Sequence, residues 1–293
     1  PALDRLIIVT LFLFVFFSML SISMAQIACG LGGLAWLLRT QLDQSEEKQR
    51  WPLGIPFAAY ALACLVAVGS AYDVSVSFES LKKLLEILIF FWVVNCVRED
   101  RLRDILSLLL IIAALVAVLI GFYQAWKNGI TVLNRIEGSM SVYMTFAGVL
   151  MMAGMVTFAR VMFKHPREAW LWGAAALIAV CLLLTLTRQA WFGFLAGFLF
   201  LGFVWKRKFV SIFLVSLFLI ALISTEQMKS QFKNYFLYKD DAFIGQVKRR
   251  VLGMVRGDDY NFRVRLALWR GGWEIFKDYP LTGCGFHCVD LMF

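Results

Sequence analysis

The sequence predicts an all-α polytopic membrane protein with about nine transmembrane helices, followed by a helical segment outside the membrane. The chain is 61% hydrophobic and only 17% charged, with a mean hydropathy of +0.75. Soluble domains, in contrast, are about 45–50% apolar. Apolar runs long enough to enter a bilayer recur along the first three quarters of the chain, separated by short charged stretches. The composition therefore excludes a water-soluble globular domain.

The apolar runs predict a transmembrane helix bundle over residues 1–224 and an extracytoplasmic helical segment over residues 225–293. The predicted spans cover residues 3–20, 22–38, 53–70, 80–97, 105–124, 139–159, 169–186, 190–205 and 209–224. The first two come from one apolar stretch of about 33 residues, too long for one span at about 1.5 Å per residue, and we divide it at SISM. Because the chain begins with a proline and stops without a closing helix, we expect it to be part of a longer protein.

The distribution of lysine and arginine predicts the orientation of the bundle, because cytoplasmic loops retain most positive charge. The N-terminus and one set of alternate loops carry thirteen such residues: Arg5, Arg39, Lys48, Arg50, Arg98, Arg101, Arg103, Arg160, Lys164, Arg167, Lys206, Arg207 and Lys208. The other loops carry five: Lys82, Lys83, Lys127, Arg135 and Arg188. The N-terminus is therefore predicted to be cytoplasmic, and an odd number of spans places residues 225–293 outside.

Glycines and cysteines inside the apolar runs indicate packing rather than chemistry. Gly193 and Gly197 follow the small-xxx-small pattern, which lets helix backbones approach closely. We expect this packing within one chain, with a dimer face as the alternative. The six cysteines predict no disulfide framework. A zinc site on Cys284, His287 and Cys288 would have only three ligands on one short loop, so no metal is predicted.

Two arginines on the predicted outer side lie at helix ends and require a physical reason. Arg135 lies in NRIEGSMS, and Arg188 lies in TRQAW between the seventh and eighth spans. Either these side chains extend to the lipid headgroups, or they form an anion site, since a guanidinium binds phosphate through two hydrogen bonds. The loop before Arg188 is only three or four residues long, which would hold it tightly. Glu137 is expected to pair with Arg135, or to act as a base.

The outer segment predicts two helices within residues 247–280, separated by the turn RGDDYN. Five apolar residues of the second helix recur at spacings of three and four and form a stripe: Phe262, Leu266, Trp269, Trp273 and Phe276. Arg265 lies beside this stripe. The helix either rests on lipid headgroups with Arg265 in solvent or contributes Arg265 to a site, and it is predicted to end at Pro280 and the turn TGCG.

Three separated stretches together resemble the O-antigen ligase and polymerase superfamily. They are RIEGSMSVYMTFAG, TLTRQAWFG and RLALWRGGWEIFKDYPLTGCGF, and the resemblance extends over residues 134–286. The third stretch is similar to the family pattern of an Arg, a Trp four residues later, and an acidic residue before Pro-Leu-x-Gly-x-Gly. Members of the superfamily join glycans carried on undecaprenyl diphosphate to an acceptor.

The resemblance implies a metal-independent, inverting glycosyltransferase with no cofactor. As an O-antigen ligase of lipopolysaccharide biosynthesis, it would transfer the glycan from undecaprenyl diphosphate to the lipid A core. It would lie in the bacterial inner membrane with its active face in the periplasm. The implied partners are the lipid-linked glycan, the lipid acceptor and membrane lipids, without nucleic acid.

The resemblance also implies roles for particular residues. In the family, a helix-junction arginine and an arginine of the outer loop contact the lipid diphosphate, and these correspond to Arg188 and Arg265. We expect further diphosphate contacts from Arg135, Glu137, Arg263 and Trp269. The histidine that activates the acceptor in the family is expected beyond residue 293, so the only histidine of the outer segment is not assigned that role.

Two kinds of alternative function stay open. An O-antigen polymerase or a protein O-oligosaccharyltransferase of the same superfamily would keep the same arginines and change only the acceptor. A transporter or flippase for a lipid-linked glycan belongs to a different class, although many helices with few embedded charges suit it equally well. The outer segment, rich in tryptophan and arginine, and the lack of an evident inverted repeat favour an enzyme.

Overall fold

The computed structural model describes residues 2–42, 50–71, 73–129, 135–140, 142–163, 169–206, 260–280, 282–286 and 288. Within these ranges the protein is helical and no strand occurs, which confirms the predicted class. The α-helices of these ranges are α1 (Ala2–Phe17), α2 (Ile22–Leu42), α3 (Gly54–Gly69), α4 (Val74–Ser80), α5 (Glu86–Cys96), α6 (Asp100–Asn128), α7 (Tyr143–Phe163), α8 (Ala169–Leu184), α9 (Arg188–Trp205) and α10 (Tyr260–Asp278). A 3₁₀ helix over Leu81–Leu85 joins α4 to α5.

Four of the described helices, α2, α6, α7 and α9, are long and apolar enough to cross a membrane. The helix α3 and residues 170–184 of α8 are shorter apolar helices. The predicted number of nine spans is therefore not confirmed, and the predicted span over residues 209–224 lies outside the described ranges.

The predicted span over residues 80–97 differs most from the structure, because it contains the 3₁₀ helix followed by only 11 residues of α5. The helical run starts earlier than predicted, at Asp73. The Asp73 carboxylate accepts hydrogen bonds from the backbone nitrogens of Ser75 (3.0 Å) and Val76 (3.1 Å), and so caps α4. The predicted span began at residue 80, because a hydropathy criterion takes no account of the capping carboxylate of Asp73.

The long apolar stretch at the N-terminus is divided into α1 and α2, as predicted. Ser18 Oγ donates to the Val15 carbonyl at 2.8 Å, and the backbone nitrogen of Ser21 donates to the Phe17 carbonyl, also at 2.8 Å. Serine hydroxyls compete with the helix for backbone partners. The break at residues 18–21 therefore follows from two serines placed within an otherwise apolar run.

The chain forms two compact units, and one of them comprises residues 12–28 and 100–252, as far as they are described. Its helices α7 and α9 pack closely at the predicted glycines. A Cβ atom on Gly193 would lie 2.6 Å from the Met151 sulfur, and one on Gly197 would overlap the Met155 sulfur. Moving four residues forward along α9, from Gly193 to Gly197, also moves the contact four residues forward along α7, from Met151 to Met155, so the two helices run parallel. The prediction of close packing within one chain is confirmed.

A buried arginine joins the last turn of α7 to the beginning of α6 in the same unit. Arg160 Nη1 donates to Ser107 Oγ at 2.6 Å and to the Asp104 carbonyl at 3.2 Å, and it lies 3.7 Å from the Asp104 carboxylate. The sequence placed Arg160 in a loop, but α7 continues to Phe163. A cation in the last turn of a helix is favourably placed relative to the helix dipole.

The second unit comprises residues 1–11, 29–99 and 253–293, as far as they are described, and its interior is aromatic. The ring centroids of Trp51 and Phe91 are 4.8 Å apart, and those of Trp51 and Trp36 are 6.2 Å apart. Asn95 fixes the segment before α3, because its side chain accepts from the backbone nitrogen of Arg50 at 2.8 Å and donates to the carbonyl of Arg50 at 3.0 Å.

The turn that follows α10 docks on the α3–α4 corner of this unit. Ser70 Oγ at the end of α3 lies 3.4 Å from both the Thr282 and Gly283 carbonyls, and Ser77 Oγ donates to the Phe286 carbonyl at 3.2 Å. Gly283 and Gly285 have positive φ angles of 70° and 90°. The helix thus ends in the glycine turn that the sequence predicts.

Cys284 and Cys288 form a disulfide within this turn, with their Cα atoms 5.9 Å apart. The cysteine pattern predicted no disulfide framework, and this expectation was wrong for Cys284 and Cys288. The bond takes up two of the three side chains considered for zinc. The other four cysteines are free, as expected for residues of apolar helices.

We predict that Gly285→Ala lowers the melting temperature of the protein. A Cβ atom at residue 285 would overlap Ala71 and lie 2.6 Å from Ser77 Oγ, and the left-handed backbone alone costs a non-glycine residue about 1–3 kcal/mol. The matched control is Gly272→Ala in α10, where no atom lies within 4 Å and alanine is the better helix former. Equal melting temperatures for the two variants would contradict the docked turn.

Candidate functional site

The α6–α7 and α8–α9 connections lie at the same end of their compact unit. A Cβ atom on Gly121, two turns before the end of α6, would lie 3.0 Å from Ile136 of the first connection. The same atom would lie 3.1 Å from the sulfur of Cys181 in the last turn of α8. Since the parallel helices α7 and α9 also begin at this end, the structure brings both predicted arginine stretches to one end of one unit.

The connection over residues 135–140 is held by a side chain of α6. Gln124 Nε2 donates to the Gly138 carbonyl, and Gln124 Oε1 accepts from the backbone nitrogens of Gly138 (3.0 Å) and Glu137 (3.3 Å). Ile136 and Met140 are buried on either side of these contacts. A single amide therefore satisfies both polar groups of the Gly138 backbone, and the two buried side chains anchor residues 135–140 on the unit.

Gly138 allows the connection to approach α7. Its φ angle is +64°, and a Cβ atom would overlap the Phe146 ring, whose Cδ2 lies 2.7 Å away from that position. Ser139 Oγ also donates to the Met19 carbonyl at 3.3 Å. The sequence predicted that a helix begins at residue 139, but α7 starts at Tyr143, because residues 138–140 form this turn.

Arg135 and Glu137 line a polar pocket at this end of the unit. The pocket has a volume of about 380 Å³, and Gln124 and Asn128 of α6 also line it. The Arg135 guanidinium lies 4.3 Å from the centroid of the Tyr143 ring, a distance typical of a cation–π contact. A guanidinium, a carboxylate and two amides around one opening suit a ligand with anionic groups or many hydroxyls.

The α8–α9 junction is a three-residue connection, Thr185, Leu186 and Thr187, and all three residues are buried. Leu186 has a φ angle of +52°, a conformation that costs a bulky residue about 1–3 kcal/mol and persists only where the surrounding structure imposes it. Two hydrogen bonds to a neighbouring carbonyl hold this turn. The Thr185 hydroxyl (2.7 Å) and the Trp191 indole nitrogen (3.1 Å) both donate to the carbonyl of Leu182.

Arg188 is the first residue of α9 and is partly buried. The extended backbone of Thr187 precedes it, and the Thr187 side chain makes no capping hydrogen bond to α9. The first backbone N–H groups of a helix have no partner within that helix and carry a partial positive charge. The Arg188 guanidinium and the start of α9 therefore combine positive charge at one place.

The other predicted site residues belong to α10 of the second unit. Arg265 and Trp269 are exposed on this helix. Arg263 also lies on α10, but its side chain lies outside the described ranges, as does His287. The structure therefore brings Arg135, Glu137 and Arg188 to one end of one unit and places Arg265 and Trp269 on one helix of the other.

Sequence reasoning missed Gln124, which holds the pocket wall, and Trp191, which holds the junction. Gln124 carried a detectable signal, because an amide within the otherwise apolar run of α6 needs hydrogen-bond partners. Trp191 was part of the quoted TRQAW stretch, but its contact with Leu182 depends on the left-handed turn at Leu186. That turn has no glycine to mark it.

A comparison with protein-family models matches O-antigen ligase over residues 173–290. The matched region includes most of α8, the junction with Arg188, α9, α10 and the docked turn. Comparisons with curated proteins and with solved structures gave no match. Residues 173–290 are thus similar to the O-antigen ligase family, which is consistent with the resemblance to the O-antigen ligase and polymerase superfamily.

Proposed function

We propose that this protein transfers a glycan from undecaprenyl diphosphate to a hydroxyl of the lipid A core, as an O-antigen ligase. The family match supports a membrane enzyme of the glycosyltransferase and ligase type. The single observation that carries the finer proposal is Arg188, a partly buried residue that begins α9 within the matched region. A diphosphate is the anion that such a position suits best, because guanidinium groups bind phosphate oxygens in pairs.

In the proposed reaction, the acceptor oxygen attacks the anomeric carbon of the first sugar. The bond between that carbon and the diphosphate oxygen breaks, the configuration inverts, and the hydroxyl proton passes to a base. Negative charge grows on the departing diphosphate during this step. Arg188 stabilises that charge, and a preorganised donor in a partly dehydrated site contributes about 3–4 kcal/mol to a transition state.

The pocket beside Arg135 and Glu137 is proposed to receive the polar part of the donor. It lies at the same end of the unit as Arg188, and the Gln124 hydrogen bonds keep its wall in place. The resemblance implies a diphosphate contact from Arg265, and we propose further contacts from Arg263 and Trp269 of the same helix.

The disulfide in the turn after α10 supports an active face in the periplasm of a bacterial inner membrane. Disulfides persist in oxidising compartments such as the periplasm and are rare in the cytosol. The bond between Cys284 and Cys288 therefore agrees with the orientation predicted from the loop charges. The disulfide and the loop charges are independent indications of orientation, because the first depends on redox chemistry and the second on the distribution of lysine and arginine.

We predict that Arg188→Ala lowers the rate of glycan transfer by about a hundredfold or more, the effect of removing one donor that stabilises developing charge. The assay supplies undecaprenyl-diphosphate glycan and lipid A core to the purified protein in EDTA. Arg188→Lys should retain part of the rate, since lysine keeps the charge but not the paired hydrogen bonds.

The matched control is Arg103→Ala, at the opposite end of α6. Arg103 is exposed and forms an ion pair with Asp100 at 2.8 Å, so its removal should leave transfer unchanged. Transfer that is unaffected by Arg188→Ala would refute the site. Movement of the lipid-linked glycan across a membrane without transfer would instead favour a flippase.

A second variant tests the pocket wall without touching a charged residue. Gly138→Ala should lower transfer severalfold by displacing residues 135–140, because the new Cβ atom meets the Phe146 ring and the φ angle is positive. Gly148→Ala in α7 is the control, since no atom lies within 4 Å of its added Cβ. If kcat and KM are unchanged in Gly138→Ala, the pocket takes no part in glycan transfer.

A further inference from the structure

The helix α10 carries an exposed aromatic face. Trp269, Trp273 and Phe276 are 74%, 58% and 53% exposed, and the rings of Trp273 and Phe276 stack with centroids 5.5 Å apart. At about 100° of rotation per residue, these three residues and Leu266 lie within an arc of about 80°. A row of exposed tryptophans is unfavourable in water, because each ring leaves a large apolar surface hydrated whose burial would be favourable.

The charges of α10 are arranged around this aromatic face. On the same helical projection, Arg265 lies at one edge of the face, and Arg270 and Lys277 lie at the other. The acidic residues Glu274 and Asp278 lie further round the helix. Basic residues that flank an aromatic strip on both sides, with acids kept away from it, are typical of a helix that lies flat in a bilayer interface.

The turn after α10 is attached at the end of an apolar helix. Its following turn docks at Ser70, where the apolar helix α3 ends. The residues Ile55 and Leu62 of α3 are 86% and 64% exposed, as expected for a helix that contacts lipid. Immediately after α3, the hydrogen bonds from the backbone of Val76 and from Ser75 lower the pKa of Asp73 and so favour a charged carboxylate at this point of the chain.

We propose that α10 lies in the headgroup layer of the membrane that α3 enters, with Trp269, Trp273 and Phe276 inserted towards the upper acyl chains. Arg265 and Arg270 then contact lipid phosphates from the two sides of the inserted strip, while Lys277 remains paired with Glu274 at 2.9 Å. Tryptophan suits this depth, because its ring is apolar and its N–H remains hydrogen-bonded near the headgroups. The favoured occupant of the aromatic face is thus lipid, because a protein partner would not require cations along both margins.

One consequence rests on the proposed function. A lipid-linked donor carries its diphosphate at the level of the headgroups, and α10 holds Arg265 at this level. The membrane itself then sets the depth of Arg265. The aromatic strip would be a positioning element for the donor charge.

The test places an environment-sensitive fluorescent amino acid at residue 273, in the otherwise unchanged full chain, by amber suppression. The protein is reconstituted in vesicles of phosphatidylethanolamine and phosphatidylglycerol that contain lipids with a nitroxide near the headgroup. We expect blue-shifted emission and severalfold stronger quenching at residue 273 than at residue 267, which lies on the far side of α10. The same label at residue 276 repeats the measurement if the first variant folds poorly.

Two outcomes would overturn the proposal. Quenching of residue 273 by aqueous iodide but not by the lipid nitroxide would place the aromatic strip in water. Shielding of residue 273 from both quenchers would mean that protein covers the strip, either this chain or a second copy. Because no donor is present, the result is independent of the transfer assay, and a failure of either proposal can be recognised separately.

Discussion

Backbone hydrogen bonding in residues 135–140 and 185–187 of the α6–α9 unit controls where its cations lie. At the end of a bundle that enters lipid, carbonyl and N–H groups need partners from the protein itself. Gln124 supplies them to Gly138 and Glu137, while Thr185 and Trp191 both donate to Leu182. These hydrogen bonds hold residues 137–138 and the junction over residues 185–187, next to Arg135 and Arg188. Rigid placement is what a stabiliser of developing charge requires.

Phe146 links the pocket wall to the interior of the same unit. Its ring is fully buried and lies against Gly138 on the connection and within 3.7 Å of the Cβ position of Gly121 on α6. Small residues on two sides of one aromatic ring leave no free volume for adjustment. The geometry of the pocket is therefore coupled to helix packing, and a substitution in the core next to Phe146 would be felt at the surface.

Much of this arrangement is encoded in patterns that can be recognised from the residues alone. The ends of α8 and α9 follow from apolar runs interrupted by TRQ, and α10 follows from the spacing of its aromatic residues. The start of α7 was misplaced, because a glycine turn at residue 138 interrupts a run that is still mostly apolar. The left-handed conformation of Leu186 has no local marker, and the partners of Gln124 depend on how residues 135–140 fold back on α6. The disulfide joins cysteines only four residues apart, so its geometry depends on the glycine turn that brings them together.

The docked turn after α10 also has a consequence for biogenesis. Ser70 and Thr282 are separated by 212 residues along the chain, and most of the other compact unit is encoded between them. Contacts with large sequence separation form slowly, because the entropy of closing a long loop must be lost first. The α3–α4 corner is therefore synthesised early but is covered only after the segment with Cys284 and Cys288 has been translated. The disulfide-bonded turn thus completes its unit only after the intervening helices have been synthesised.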